Sequence, residues 1–460
     1  MAKKTNLIPM LSITVLFFMW GFITSLNDIL IPYFKGVYHL THFQANIVQL
    51  AFFIAYFVGA AAFLLLSKTN NDPIHRYGYR KTLEIGLIIA ASACVIFSTI
   101  ASAGLGFPFF LGALFLLGIG LTFLQVAANP FVSVLGSAET ASSRLNLSQA
   151  FNSLGTTLGP ALGSYLIFGV FLKDATGASA VKVPYLVLGL LLLCLAIFIH
   201  NVKITEPSNE IAVQKKDSIF AHPYVLLGAL GIFFYVGAEV SVGSNMVSYI
   251  TETTKGRISA TLAGGYLSYY WGGAMIGRFL GSISLSKMRL AMKALYMALL
   301  AVAAFVVIYT VNYYLHSIGF NDIVYFFVFM ALNYICFFIG RGKPHTTLAI
   351  FALINVCLIS LGAFCHLGSL SIWALLAIGL FNSIMWSNVF TLAIAKLEER
   401  TAQASSILIM MILGGAILPP LQGAIADYSG NISISFIVPL FSYIYLIFYG
   451  AFGYKIGLKA

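Results

Sequence analysis

The 460 residues of this chain are 60% hydrophobic and only 8% charged, and their mean hydropathy is +0.95. Soluble domains carry about 25% charged residues, so this composition excludes a soluble protein and predicts a polytopic, all-helical membrane protein in a lipid bilayer. A β-barrel is excluded because the apolar runs are long and continuous. The basic residues behind the net charge of +11 are scattered over short loops, so we expect no nucleic-acid partner.

Apolar segments of membrane-spanning length follow one another along the whole chain. About 20 apolar residues cross a bilayer as a helix. The sequence therefore predicts fourteen spans, at residues 10–34, 44–67, 82–102, 108–135, 145–170, 184–204, 222–250, 261–286, 292–313, 322–340, 346–365, 369–395, 403–426 and 432–454. The longest polar stretch, Val202 to Phe220, separates the first six spans from the other eight.

Matching residues at two fixed offsets indicate an internal repeat. Gly155 recurs 259 residues later as Gly414, whereas Gly21 recurs after 216 residues as Gly237. The difference of 43 residues is about the length of a two-helix hairpin, which indicates an insertion within the second copy. Six spans in parallel repeat are the arrangement of the major facilitator fold, whose substrate site lies at the midplane between the halves.

The repeat predicts two six-helix bundles joined by a linker. The N-terminal bundle covers residues 1–204, a cytoplasmic linker covers 205–221, and the C-terminal bundle covers 222–460 with an inserted helical hairpin at 292–341. The alternative to fourteen spans is that one inserted segment lies along the membrane interface.

Lys and Arg residues are distributed unevenly between the two predicted sides. With a cytoplasmic N-terminus, nineteen of the 25 lie on the inner side, and the outer loops hold only Lys35, Lys173, Lys182, Lys255 and Arg257. Positive charge favours the cytoplasmic side. The bias predicts a multi-pass protein of the cell (inner) membrane with both termini in the cytoplasm.

The first span carries the polar cluster around which we expect the functional site. Trp20, Thr24, Asn27 and Asp28 fall at i, i+4, i+7 and i+8 and therefore share one helical face. An ionised carboxylate within the hydrocarbon costs at least about 2.5 kcal/mol unless a partner, a cation or a proton offsets it. We expect Asp28 either to bind Na⁺ directly, with Asn27 and Thr24 as further oxygen ligands, or to take up a proton.

Polar and aromatic side chains within later spans are candidates for substrate binding. They are Gln125, Asn129, Asn146, Gln149, Asn152, Glu239, Asn245, Trp271, Asn382, Trp386 and Asn388, together with Trp20 of the first span. Amides match the hydroxyls of a neutral sugar, and aromatic faces pack on its C–H surfaces. Two alternatives stay open: an interhelical hydrogen bond for Gln125 and Asn129, and an ion pair of Glu239 with Arg278.

The chain lacks the sequence motifs of several other functions. It has no GxxxxGK[ST] phosphate loop, which excludes ATP-driven transport, and no HExxH or GxSxG motif, so we expect no enzyme activity. The five cysteines form no CxxC pair. We expect no cofactor apart from the coupling ion.

Motifs in both halves resemble the fucose permease family within the major facilitator superfamily. They are Trp20-Gly21-Phe22, Leu26 to Pro32, Ala127 to Phe131, Arg144 to Leu147, Gln149 with Phe151 to Ser153, Phe381 to Met385, Gly414 to Ile417 and Pro420 to Gly423. The resemblance implies a cation-coupled sugar symporter that works by alternating access. It also implies that Asp28 couples the cation to the sugar and that Trp20 and Gln149 line the sugar site.

One position departs from the fucose-transporting members. Where they have a glutamate that is regarded as a second protonatable site, this chain has Gln125, as in the glucose/galactose branch, some members of which are described as sodium-dependent. We therefore expect a monomeric symporter of a neutral hexose (glucose or galactose, with fucose as an alternative) coupled to Na⁺ or H⁺. The rival hypotheses are a proton-coupled drug or amino-acid transporter on the same fold and a sugar sensor that binds without flux.

Overall fold

The computed structural model describes residues 7–68, 73–134, 141–172, 177–201, 222–284, 288–340, 343–394 and 401–457. Within these ranges the chain consists of helices joined by short turns, and no strand occurs. Thirteen of the helical segments are long and apolar enough to cross a membrane. The helix Ala260–Ser284, at 25 residues, takes the place of the remaining predicted span. The prediction of an all-helical polytopic membrane protein is confirmed.

The described residues form six α-helices in the N-terminal half and eleven in the C-terminal half. The N-terminal half contains α1 (Leu7–Tyr38), α2 (His42–Lys68), α3 (Pro73–Ala103), α4 (Phe107–Val134), α5 (Ala141–Ser164, extended by a π-helical segment Tyr165–Phe171) and α6 (Lys182–Asn201). The C-terminal half contains α7 (Pro223–Thr253), α8 (Ala260–Ser284), α9 (Leu290–His316), α10 (Val324–Ile339), α11 (Pro344–Ile359, with a π-helical segment Ser360–Phe364), α12 (Ser369–Asn382), α13 (Met385–Ile394), α14 (Thr401–Met410), α15 (Gly414–Ser429), α16 (Ile432–Ser435) and α17 (Ile437–Ala451).

In each half, the first and fifth spans pack closely against each other at a glycine. A Cβ atom on Gly155 of α5 would overlap the backbone of Phe18 in α1, and a Cβ atom on Gly414 of α15 would overlap the backbone of Phe233 in α7. Small residues allow helix backbones to approach this closely in membranes. The same kind of contact thus occurs at the two positions that the 259-residue offset relates, as the repeat predicts.

Helices α9 and α10, which correspond to the predicted hairpin, lie on the outside of the C-terminal half. Helix α9 packs against α8 and α5, and α10 packs against α8 and α12. Buried amides fix them there: Asn312 Nδ2 donates to Ser268 Oγ at 2.6 Å, and Asn333 Nδ2 donates to the Leu380 carbonyl at 3.0 Å. Both segments are long and apolar enough to span.

The two halves contact each other through α1 with α7, α2 with α15, and α5 with α8. We use "outer end" for the end of the bundle that bears the α1–α2 and α7–α8 connections, following the prediction from Lys and Arg. At this end Lys35 Nζ lies 2.5 Å from Glu252 Oε1, and His42 Nε2 lies 3.1 Å from the same oxygen. Asp427 of α15 accepts from the backbone N–H groups of His42 at 2.8 Å and Phe43 at 2.7 Å, so it caps α2 from the other half. Charged groups therefore hold the halves together at the outer end.

Candidate substrate and cation site

Asp28 is buried, at 2% exposure, where the two halves meet. Its Oδ1 accepts hydrogen bonds from Gln49 Nε2 at 3.0 Å and from Ser244 Oγ at 3.1 Å. Its Oδ2 accepts from Trp271 Nε1 at 2.9 Å. Gln49 belongs to α2, whereas Ser244 and Trp271 come from α7 and α8 of the other half. All three partners are neutral, and no basic side chain pairs with Asp28 in the part of the chain that the structure describes.

Gly243 leaves the space in which the Asp28 carboxylate and the Trp271 indole contact each other. A Cβ atom on Gly243 would lie 3.1 Å from the Trp271 ring and 3.2 Å from Asp28 Oδ2, which is tighter than most contacts of real Cβ atoms. Gly243 precedes Ser244 on α7, so the same turn supplies the space and the hydroxyl. The local sequence of α7 thereby allows α1 and α8 to contact each other through Asp28 and Trp271.

Neither of the other two predicted cation ligands forms a side-chain hydrogen bond with Asp28. Thr24 Oγ1 donates to the Trp20 carbonyl one turn earlier, at 2.9 Å. The Asn27 side chain is fully buried, and both of its polar atoms lack a hydrogen-bond partner among the described residues. In their place the structure brings Gln49 and Ser244 to the acid.

Gln49 and Ser244 were missed by the sequence reasoning. A single amide or hydroxyl in an apolar span carries no pattern of its own, which explains the omission of Gln49. Ser244, however, stands 216 residues after Asp28, the offset that also relates Gly21 to Gly237. The repeat was therefore a signal that α1 and α7 place these two residues at equivalent depths.

Trp20, a predicted sugar contact, bonds to a tyrosine within the N-terminal half. Its Nε1 donates to the Tyr56 hydroxyl on α2 at 3.0 Å, and its ring is half-buried. It shares a face of α1 with Thr24 and lies two turns from Asp28. The bond to Tyr56 fixes the orientation of the indole.

Asn382 is the centre of a buried network in the C-terminal half. Its Nδ2 donates to the Tyr270 hydroxyl at 3.0 Å. Its Oδ1 accepts from Asn355 Nδ2 at 3.0 Å and from the Tyr443 hydroxyl at 2.8 Å. The Asn382 side chain is 0% exposed, so it orients neighbouring tyrosines instead of facing an open cleft. The sequence prediction had placed Asn382 among the residues that contact substrate.

Glu239 has a basic partner. Its Oε1 accepts from the Tyr235 hydroxyl at 2.7 Å and lies 3.9 Å from Arg278 Nη2. Arg278 also donates from Nε to the Ser383 carbonyl at 3.3 Å and from Nη1 to Ser153 Oγ on α5 of the other half. Of the two alternatives for Glu239, the structure therefore has the ion pair, and its basic member reaches across the interface.

Two more of the predicted residues bond to neighbouring helices. Asn245 is buried and exchanges hydrogen bonds with Asn46 of α2, at 2.9 and 3.4 Å, across the interface between the halves. Asn152 is half-buried and donates to the Phe17 carbonyl of α1 at 3.0 Å. These two amides contribute to helix packing, in addition to any contact with a ligand.

The remaining candidates differ in their surroundings. Gln125, Gln149 and Trp386 are half-buried, and the Trp386 ring stacks on Phe390 with centroids 4.9 Å apart. Asn388 is 4% exposed, and its Nδ2 has no partner within the described ranges. The predicted residues Asn129 and Asn146 lie outside the part of the chain whose side chains the structure describes.

Comparison with known proteins identifies the family. Residues 11–340 match the model of the Major Facilitator Superfamily. This chain belongs to the Major Facilitator Superfamily. A glucose/galactose transporter of Brucella abortus is 40% identical over 99% of this chain and 96% of its own length. A putative glucose/galactose transporter of Helicobacter pylori is 36% identical over 99% of each chain.

More distant relatives of this Major Facilitator Superfamily protein include an L-fucose-proton symporter of Escherichia coli, 27% identical over 98% of this chain and 94% of the relative. The crystal structure of FucP, a Major Facilitator Superfamily transporter in the outward conformation, matches with a TM-score of 0.61 and 26% identity, covering 98% of this chain and 99% of that one. The predicted fold and family are confirmed, and the chain is a multi-pass membrane transporter, not an enzyme.

Proposed function

We propose that this chain carries a neutral hexose, glucose or galactose, across the membrane by cation-coupled symport. The observation that carries the proposal is Asp28, a buried acid that has only neutral partners and that contacts both halves. Relatives at 40% and 36% identity are named as glucose/galactose transporters, which favours these sugars over fucose.

Loading of Asp28 changes how strongly the two halves hold each other. Hydrogen bonds to an ionised carboxylate are roughly twice as strong as neutral ones, and Ser244 and Trp271 make such bonds from the opposite half. A cation or a proton at Asp28 neutralises the charge and weakens those bonds. The free energy of the contact between halves then depends on the ion, which is the dependence that symport by alternating access requires.

The side chains predicted to bind substrate suit a neutral polyol. The half-buried Trp20, Gln125 and Gln149 of the N-terminal half supply an aromatic face and two amides. Trp271 of the C-terminal half donates to Asp28. Glu239 offers no free charge for pairing with a drug or an amino acid, because Arg278 already pairs with it.

Uptake by purified protein in proteoliposomes tests the proposal. Glucose, galactose and fucose are supplied in turn, and a Na⁺ gradient and a pH gradient are imposed separately. We expect glucose or galactose to accumulate under one of the two gradients. Equal accumulation with neither gradient would reject symport, and binding without flux would favour a sensor.

Labelling of introduced terminal cysteines in intact cells tests the proposed inner-membrane topology with cytoplasmic termini. The mass of the purified particle tests the proposed monomer.

A further inference from the structure

We infer that the inner end of the C-terminal half binds an anionic phospholipid, in a cavity between α10 of the inserted hairpin and the start of α11. We use "inner end" for the end that bears the α10–α11 connection and the end of α17. The distribution of Lys and Arg predicts that this end lies at the cytoplasmic leaflet. The inference needs neither the sugar nor the coupling ion of the proposed function.

The cavity has an apolar part and a polar part. Its volume is about 660 Å³, and small-molecule sites typically measure about 300–1,000 Å³. Ile335 and Ile339 lie one turn apart on α10 and are 53% and 56% exposed, so they form an apolar strip that reaches the protein surface. An acyl chain can lie along this strip while its headgroup reaches the polar part. The lining residues are Ile335, Phe338, Ile339, Gly340, Lys343 and Thr346.

Basic groups converge on the polar part of the cavity. The His345 ring stacks on the Tyr454 ring with centroids 4.6 Å apart, which brings the end of α17 to the start of α11. The charges of Lys343 and Lys455 both act on the His345 ring, so the two ammonium groups lie in one neighbourhood. Basic pockets between helices at the cytoplasmic side are typical sites for anionic lipid headgroups.

No carboxylate of the surrounding helices neutralises these two lysines. Helices α10, α11, α12, α13 and α17 contain no Asp or Glu. Neither Lys343 nor Lys455 forms an ion pair with another described residue. The positive-inside bias explains lysines at this end, but it does not explain a cavity that continues from Lys343 along an apolar helix face.

The start of α11 adds partial positive charge to the same place. This 16-residue helix begins at Pro344, and the side chain of its N-cap residue, Lys343, makes no capping hydrogen bond. Backbone N–H groups at an uncapped helix start favour an anion. Thr346 Oγ1, 3.1 Å from His345 Nδ1, adds a hydroxyl at the cavity. A zwitterionic headgroup would bring its own positive charge beside the lysines, so the charge balance favours an anionic lipid.

The inserted hairpin builds one wall of the cavity. Helix α10 and its C-cap Gly340 supply four of the six lining residues. The Tyr334 hydroxyl donates to the Ala294 carbonyl of α9 at 2.9 Å, and Asn333 Nδ2 donates to the Leu380 carbonyl of α12 at 3.0 Å. These bonds hold α10 in position beside α11. The inference therefore gives the insertion a role that the repeat of six helices does not require.

Thermal unfolding of the purified full-length protein in detergent with added lipid tests the inference. Dioleoyl phosphatidylglycerol is the anionic probe, and dioleoyl phosphatidylcholine, with the same acyl chains, is the zwitterionic control. A ligand that binds the folded state raises the melting temperature. We expect phosphatidylglycerol to act at a lower concentration than phosphatidylcholine, and the difference to shrink at high salt. An equal effect of the two lipids would overturn the inference.

Glycerol phosphate distinguishes a lipid from free phosphate. It carries the phosphate without acyl chains, so we expect no shift of the melting temperature at concentrations where phosphatidylglycerol acts. A shift as large as that with phosphatidylglycerol would show that the apolar strip takes no part, and it would overturn the assignment to a lipid.

Variants locate the site. We expect Lys343→Gln to raise the half-effective phosphatidylglycerol concentration about fivefold, which corresponds to the roughly 1 kcal/mol that a lysine contributes near an anionic lipid surface. Lys343→Arg should retain the response. Ile339→Trp should weaken it by filling the apolar part. Lys182→Gln removes an exposed charge at the start of α6 and is the matched control, with an unchanged response.

The folding of each variant is checked by a cooperative transition in the absence of added lipid. An unchanged phosphatidylglycerol response in both Lys343→Gln and Ile339→Trp would overturn the site. An equal loss of response in Lys182→Gln would also overturn it, because that result would show a general effect of net charge. None of these outcomes bears on sugar transport, so a failure here leaves the proposed function intact.

Discussion

The first helix of each half carries an acid inside the bundle, the buried Asp28 in α1 and the 12%-exposed Glu239 in α7, and their surroundings differ. Glu239 pairs with Arg278 and accepts from Tyr235, both within its own half. Asp28 receives three hydrogen bonds from neutral groups, two of them from the other half. Both acids bear a cost of burial, but of the two only Glu239 has a counter-charge, Arg278 at 3.9 Å. This contrast supports the proposal that Asp28 is the acid that takes the ion.

The arginine beside Glu239 has a second contact. Arg278 donates to Ser153 of α5, so the basic member of the ion pair in the C-terminal half also forms a hydrogen bond to the N-terminal half. In the proposed mechanism Glu239 holds Arg278 in place, whereas Asp28 changes its charge. This assignment of roles leads to the following predictions.

The largest effect is expected for Asp28→Asn. The amide keeps the size of the side chain but cannot bind a proton and carries no charge for a cation. We expect the sugar accumulation ratio under an imposed ion gradient to fall to about one, while sugar counterflow persists. Full accumulation by this variant would show that another group couples the ion.

Arg278→Met should reduce stability, because it leaves Glu239 buried without a counter-charge. Breaking a fully buried pair costs about 3–5 kcal/mol, and the 31% exposure of the Arg278 side chain reduces our expectation to roughly 2 kcal/mol. Thermal unfolding in detergent measures the loss, and adding Glu239→Gln should restore most of it. A double variant that is no more stable than Arg278→Met would contradict the ion pair.

Sequence patterns predicted the face of α1 that carries Trp20 and Asp28, the family and the fold. They did not predict which acid is compensated, because the Glu239–Arg278 pair depends on how α7 and α8 pack, and each helix alone shows only one charged residue inside its apolar span. Asn382 illustrates the same limit. Its hydrogen bonds to Tyr270, Tyr443 and Asn355 depend on tertiary packing, whereas its contact with substrate stays a prediction.

Asp427→Asn should destabilise the closed outer end. The Asp427 carboxylate accepts from two backbone N–H groups at the start of α2, and losing a charged helix cap costs about 0.5–2 kcal/mol. Spin labels on the outer ends of α2 and α15 should report a larger population with widely separated halves. An unchanged distance distribution would show that this cap does not stabilise closure.

Glu252→Gln should shift the same equilibrium less. Its carboxylate is 40% exposed and pairs with Lys35, and exposed pairs contribute about 0.2–1 kcal/mol. The shift measured by the same spin labels should also shrink when the salt concentration is raised, because ions screen exposed pairs. A salt-independent shift as large as that of Asp427→Asn would contradict this ranking.

The charge carried with each sugar tests the contrast between the two acids most directly. Reversal potentials of sugar-driven current are measured in proteoliposomes for the unmodified protein and for Glu239→Gln, whose own structural role is checked by counterflow. The account predicts one positive charge per neutral sugar in both proteins, since Asp28 alone takes up the ion. Two charges per sugar in the unmodified protein, or loss of coupled current in Glu239→Gln while counterflow persists, would contradict it.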